Sequence, residues 1–151
     1  MPHPVIYPGD LRALLDETDN GNIRQLANGE CARLPQMLTN VGWTGRWQRG
    51  PRVLDSPHLL PGTVIANFKL VNGNWKYPNE HGYHAGIFVR FAQRAIMVNG
   101  LPCEFTMLDQ WVRKRPGERG MAILSEGFKH RRPDLYTPSN RADEFYVVLV
   151  P

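Results

Sequence analysis

The chain changes its hydrophobic period once along its length. Near the start, Leu11, Leu14 and Leu15 recur at helical spacing behind Asp10, a side chain suited to capping, so residues 8–17 predict a short amphipathic helix. Asp19-Asn20-Gly21-Asn22 is turn chemistry that closes it. Asn28-Gly29-Glu30-Cys31 then leads into Leu34, Met37 and Leu38, a turn feeding a second helix with Asn28 as its cap. Pro35 conflicts with that helix. It has no N–H for the carbonyl of Cys31, and its ring collides with that carbonyl in a regular helix, so the helix must kink, begin late or distort. Residues 40–61, with Gly42, Gly45, Gly50, Pro51, Pro57 and Pro61, read as irregular loop.

From Pro61 onward the period falls to two. Residues 63–68 are β-rich, Asn72-Gly73-Asn74 is a turn, and residues 84–89 and 95–98 read as strands, the latter ended by Asn99-Gly100. Phe105, Met107 and Asp109 alternate on one face of the next strand, and residues 122–124 suggest a short further one. Residues 145–150 are apolar on both faces and predict a buried terminal strand. Helices first and strands afterwards define an α+β domain with a mostly antiparallel sheet. There is no internal repeat and no linker, so residues 1–151 read as a single domain.

Composition narrows the classes. With 42% hydrophobic and 21% charged residues among 151, the profile is that of an ordinary globular chain able to bury a core without disulfides or metals. Two cysteines make neither a disulfide scaffold nor a four-thiolate zinc site. No stretch approaches the apolar length of a membrane span, and the opening Met-Pro-His-Pro-Val-Ile-Tyr-Pro is not the pattern of a secretory signal peptide. The formal charge is +4, too small and too dispersed to establish nucleic-acid binding. A basic run of four, Lys129-His130-Arg131-Arg132, reads as a solvated turn. Neither a nucleic acid nor a membrane is expected as a partner.

The candidate chemistry starts at Cys31. A helix start carries partial positive charge and unpaired N–H groups, which favour a thiolate and can hold an oxyanion. His84 opens a strand whose alternation puts His84, Gly86 and Phe88 on one face, and if that face meets the second helix, imidazole and thiol can pair. Asp109 ends a strand that a meander places near His84, where a carboxylate fixes the imidazole tautomer. Gln110 is the alternative orienter, although alternation puts it on the opposite face. His81, in a loop-like Asn79-Glu80-His81-Gly82, is the alternative base.

Asn28-Gly29-Glu30-Cys31 at a helix start, then residues 60–66, then Tyr83-His84-Ala85-Gly86-Ile87-Phe88-Val89, then Asp109-Gln110-Trp111, together resemble the papain-like cell-wall amidases of the CHAP and NlpC type. Small bacterial amidases delivered by type VI secretion resemble the chain most in length. The resemblance spans residues 28–111 and leaves the rest unassigned. It implies a papain-like cysteine peptidase fold, with N-terminal helices packed on the sheet, that cleaves peptidoglycan stem peptides. In that reading Cys31 is the nucleophile, His84 the base and Asp109 the orienter, with no metal or organic cofactor. It further implies a toxin made in the bacterial cytoplasm, acting in the periplasm of a target cell, with a cognate immunity protein as a possible partner.

Two tryptophans and one cysteine complete the reading. Trp43 and Trp47 lie in a Gly-rich stretch that a core does not easily explain, and are expected to wall a substrate cleft. Cys103 has no helix signal and is expected to be buried as a small hydrophobe. The competing functions are a non-catalytic binding module on the same fold, and a thiol deamidase or acyltransferase acting on protein through the same thioester.

Overall fold

The computed structural model describes residues 1–92 and 100–151. The expected strand at 95–98 lies outside the described residues. Helix α1 (Leu11–Asp19) is capped as the sequence predicts, the Asp10 carboxylate accepting the Ala13 N–H at 3.1 Å. Helix α2 (Arg33–Leu38) begins late. Pro35 is therefore its third residue, where a backbone N–H has no intrahelical partner and its loss costs little. The carbonyl of Cys31 accepts the Leu34 N–H instead, at 3.3 Å. A third helix, α3 (Glu126–Arg131), is exposed and capped by Ser125, so the basic run expected as a turn is largely helical.

The strands are β1 (His3–Pro4), β2 (Gln48–Arg52), β3 (Val64–Ala66), β4 (Lys69–Val71), β5 (Asn74–Lys76), β6 (Ala85–Phe91), β7 (Glu104–Trp111), β8 (Lys114–Ala122) and β9 (Tyr146–Val150). The main sheet runs β1-β9-β3-β6-β7-β8, with β2 also paired to β9. All pairs among the described strands are antiparallel, so the chain is α+β as its pattern predicts. Strands β4 and β5 form a separate hairpin. Asn72 and Gly73 at its tip both adopt positive φ, the conformation of the tight turn that matches strand twist.

Two expectations about strands are corrected. Residues 40–61 are not all loop, because β2 pairs Gln48 with Leu149 and Arg49 with Val148. Its polar side chains hide it from a hydrophobic pattern, and the register shifts between Arg49 and Arg52, where Pro51 falls. The strand expected at 122–124 is instead the long β8, ending at Ala122. Among the described residues β8 pairs only with β7 and lies at the end of the sheet, so residues 114–120 show no apolar alternation.

The sheet buries a different cluster on each face. One face packs Leu34 of α2 and Leu15 of α1 against Ile87, Val89 and Leu108. The other gathers Phe88, Phe105 and Met107 with Val53, Leu54, Ile65 and Phe145. Complete burial of each large apolar side chain contributes about 2 kcal/mol, which holds the strand ends in register around the residues described next.

Candidate functional site

His84 immediately precedes β6 and is fixed first through its backbone. Its N–H donates to Asn67 Oδ1 at 2.9 Å, while the Asn67 amide nitrogen donates to the carbonyls of Pro138 at 3.1 Å and Glu144 at 2.7 Å. Gly86, two residues on, lets β7 approach closely: a Cβ there would lie 2.8 Å from the Leu108 carbonyl. That approach brings the fully buried Asp109 to the imidazole, with Oδ2 2.8 Å from His84 Nε2. The other ring nitrogen, Nδ1, is not used by Asp109.

Cys31 reaches His84 by an unexpected route. Helix α2 packs on the Ile87–Val89 face, whereas Phe88, Met107 and Phe105 occupy the opposite one. The two residues come near each other because Cys31 lies ahead of α2, at the entry to β6, where its Sγ is 4.0 Å from the carbonyl of Tyr83, the residue next to His84. The helix-dipole expectation is corrected too. A six-residue helix that begins two residues beyond the cysteine offers it little. Burial pushes the Cys31 thiol up, but hydrogen bonding with His84, the charge of that ring and the Tyr77 hydroxyl outweigh burial and hold it below the ordinary thiol range. Tyr77 Oη is 3.1 Å from Sγ. Burial, together with the neighbouring Cys31, keeps the Tyr77 phenol protonated.

The surroundings favour the charged form of both the thiol and the imidazole. Burial pushes His84 toward neutrality, and its bonds with Asp109 and Cys31 more than reverse this, raising its affinity for a proton. Burial also pushes the Asp109 carboxyl up. The hydrogen bond from His84, then the charges of Arg119, His84 and Lys114, overcome it and hold the carboxyl at about 2. Arg119 Nε donates to Oδ2 at 2.7 Å and Lys114 Nζ to Oδ1 at 3.0 Å. The half-exposed Trp111 ring stands edge-on to His84, centroids 6.1 Å apart.

Cys31, His84 and Asp109 are thus brought together, and the other candidates fall elsewhere. Trp47 does not line a cleft. It is 4% exposed in the core, its indole N–H donates to the Gly42 carbonyl, and its ring lies 5.0 Å from that of Tyr77. The expectation misjudged it because residues 40–61 were read as loop, whereas Trp47 directly precedes β2 and is covered by the sheet. Trp43 is 70% exposed, its ring folded over Gly45. His81 lies in an exposed turn, and Cys103 is free and half-buried, as is Cys31. Among the described residues, no group of three or more His, Cys, Asp or Glu is disposed to hold a metal ion. No described helix is long and apolar enough to cross a membrane.

Several residues that shape the site carry no sequence signal. Tyr77 follows a polar hairpin, and Arg119 lies in a strand without apolar alternation. Gln110 is placed on the face opposite Asp109, as alternation predicts. There its Oε1 accepts the Leu26 N–H at 2.8 Å, and its Nε2 donates to the carbonyls of Leu26 at 3.0 Å and Glu30 at 2.9 Å. Gln25 reaches the other way, donating to the Trp111 and Val112 carbonyls, each at 2.6 Å. The segment preceding Cys31 is therefore stitched to the end of β7 from both sides.

The fold and the site together define an α+β chain whose antiparallel sheet gathers a thiol, an imidazole and a carboxylate at the entry of one strand. Among solved structures it is similar to a type 6 secretion amidase effector 2 (Tae2), at 28% identity and a TM-score of 0.64, covering 85% of this chain and 87% of that one. No family model matches the chain, and no curated protein matches it by sequence. The likeness supports the resemblance to type VI secretion amidases and does not reach the CHAP or NlpC groups specifically.

Proposed function

We propose that the chain is a cysteine amidase that hydrolyses amide bonds in peptidoglycan stem peptides, with Cys31 as nucleophile, His84 as general base and acid, and Asp109 as orienter. The observation that carries the reading is the 2.8 Å contact of His84 with a buried carboxylate, on a ring that also holds the Cys31 thiol below its ordinary range. The similarity to an amidase effector supports the reaction class. The peptidoglycan substrate, the papain-like character and the effector role come from the motif resemblance and that neighbour.

In the proposed reaction the Cys31 thiolate attacks the amide carbonyl carbon, and the carbonyl electrons move to oxygen. The Tyr77 hydroxyl, 3.1 Å from Sγ and protonated, donates to the developing oxyanion. As the C–N bond breaks, the His84 imidazolium gives its proton to the leaving amine. Water then adds to the thioester, its proton passing to His84. The tetrahedral intermediate expels the thiolate and releases the acid, restoring the ion pair. Asp109 keeps the ring in the required orientation and stays ionised throughout.

Purified protein incubated with sacculi should release shortened muropeptides visible by mass spectrometry, and Cys31→Ala should abolish release while keeping the wild-type melting temperature. Intact sacculi with the wild-type protein, or release by folded Cys31→Ala, would overturn the proposal. Intact sacculi bound by the protein would favour the binding-module reading. Iodoacetamide near neutral pH should modify Cys31 ahead of Cys103. For an effector acting on the wall, expression confined to the cytoplasm should be harmless and periplasmic expression lytic, with co-expression of a cognate immunity protein relieving the lysis.

A further inference from the structure

The residues beyond 111, which the resemblance leaves unassigned, reach the site through Arg119 of β8. Its guanidinium spans two structures at once. Nε donates to Asp109 Oδ2 at 2.7 Å, Nη1 to Asn140 Oδ1 at 3.1 Å, and Nη2 to the Ser139 carbonyl at 3.0 Å. The turn around 138–140 is held independently on the histidine side. The Ser139 N–H donates to the Gly82 carbonyl at 3.0 Å, and Asn67, which accepts the His84 N–H, donates to the Pro138 carbonyl at 3.1 Å. A closed ring of contacts therefore runs from Asp109 through His84, Asn67 and the 138–140 turn to Arg119 and back to Asp109.

Charge gives this ring a chemical consequence. Asp109 Oδ2 accepts from both His84 and Arg119, and Oδ1 accepts from Lys114. The titratable groups facing His84 are Cys31 from the entry to α2 and Asp109 from β7. Tyr77 touches Cys31, and Lys114 and Arg119 of β8 stand behind Asp109. A carboxylate already opposed by two cations attracts a third positive charge less strongly than an unopposed one. An orienter that held the imidazolium too tightly would resist giving the proton to the leaving amine.

We propose that Arg119 is a positioning residue that seats Asp109 against His84 from the 138–140 turn and, together with Lys114, weakens the hold of Asp109 on the imidazolium proton. The proposal rests on the reading of His84 as the proton carrier, and it gives the C-terminal segment a part in the same reaction. Arg119→Lys keeps the charge and loses most of the fork, Arg119→Gln loses the charge, and Lys114→Gln loses the second charge without touching the turn.

The test follows the His84 imidazole nitrogens by NMR through a pH titration of the resting protein, beside the pH profile of kcat/KM on muropeptides. Arg119→Gln should raise the midpoint of imidazolium deprotonation by roughly half to one pH unit, and Lys114→Gln should shift it the same way. The alkaline limb of kcat/KM should move up with it. Arg119→Lys should leave the midpoint near wild type while lowering kcat several-fold through looser seating. A midpoint that stays fixed or falls in folded Lys114→Gln and Arg119→Gln would overturn the proposal, as would a raised midpoint in Arg119→Lys equal to that in Arg119→Gln. If Arg119→Gln fails to fold, Lys114→Gln decides alone. A wild-type protein that cuts no muropeptide would fail the amidase reading, whereas the NMR midpoints would still decide the effect of the two cations.

Discussion

Asp109 and Gln110 are neighbours on β7, both wholly buried and both polar, yet they do different things. Alternation turns them to opposite faces of the sheet. Asp109 spends its oxygens on side chains: His84, Arg119 and Lys114. Gln110 spends its amide on backbone, at Leu26 and Glu30. A buried charge demands charged partners and in return tunes their proton affinities. A buried neutral amide demands only hydrogen bonds, and in return fixes the course of a loop that has no regular structure of its own. One residue faces the histidine, and the next holds the segment that leads to the cysteine.

The largest expected effect separates the two at once. Asp109→Asn preserves shape but removes the charge and the tautomer control, so kcat/KM on muropeptides should fall about a thousandfold in a protein whose near-ultraviolet circular dichroism is unchanged. A fall of less than tenfold would mean that His84 is oriented well enough by its own strand. Gln110→Ala should act on stability first. It strands the Leu26 N–H and the Leu26 and Glu30 carbonyls, and should cost about 3 kcal/mol in urea unfolding. Activity in that variant should drop while the acid and alkaline limbs of the pH profile keep their midpoints. Shifted midpoints would erase the distinction between the neighbours.

This pairing was partly legible in the amino-acid order. The parity of 109 and 110 follows from strand period alone, and the strand that begins just after His84 follows from turn residues and hydrophobic pattern, whereas the helix expected to start at Cys31 begins only at Arg33. What pattern cannot supply is the partner of a buried polar group. The Gln25 and Gln110 contacts join positions eighty or more residues apart in sequence, and no local propensity marks them. Strands β2 and β8 escaped for a related reason. Their residues are polar, and pairing with β9 and β7 decides their conformation. Trp47 was misjudged because its neighbours look like loop, when the sheet they join is what covers it. The face on which α2 packs was open for the same reason: alternation fixes which residues share a face, and only tertiary contacts decide which face the helix meets.

Acid titration sharpens the comparison at a smaller scale. The Asp109 carboxyl, held at about 2 in the folded chain, ionises more readily there than in the unfolded chain, which binds more protons as pH falls. The stabilisation is therefore fully present above about pH 4 and is lost as pH drops toward 2, a change of roughly 2 kcal/mol. Urea midpoints measured across that window should slope steeply for wild type and for Gln110→Ala, and much less for Asp109→Asn. Parallel slopes in all three would assign the acid sensitivity to other carboxylates.

The smallest expected effect comes from a residue outside both hydrogen-bond sets. Trp43 is 70% exposed and folded over Gly45, so Trp43→Ala removes little buried surface and should change unfolding free energy by no more than about 0.5 kcal/mol. If the ring walls the substrate, KM should rise a few-fold with kcat unchanged, because a contact made equally in the bound and transition states affects binding alone. A fall in kcat with unchanged KM would instead place Trp43 with the groups that act during bond cleavage. No change in either constant would leave the cleft wall to other side chains, such as the half-exposed Trp111, edge-on to His84.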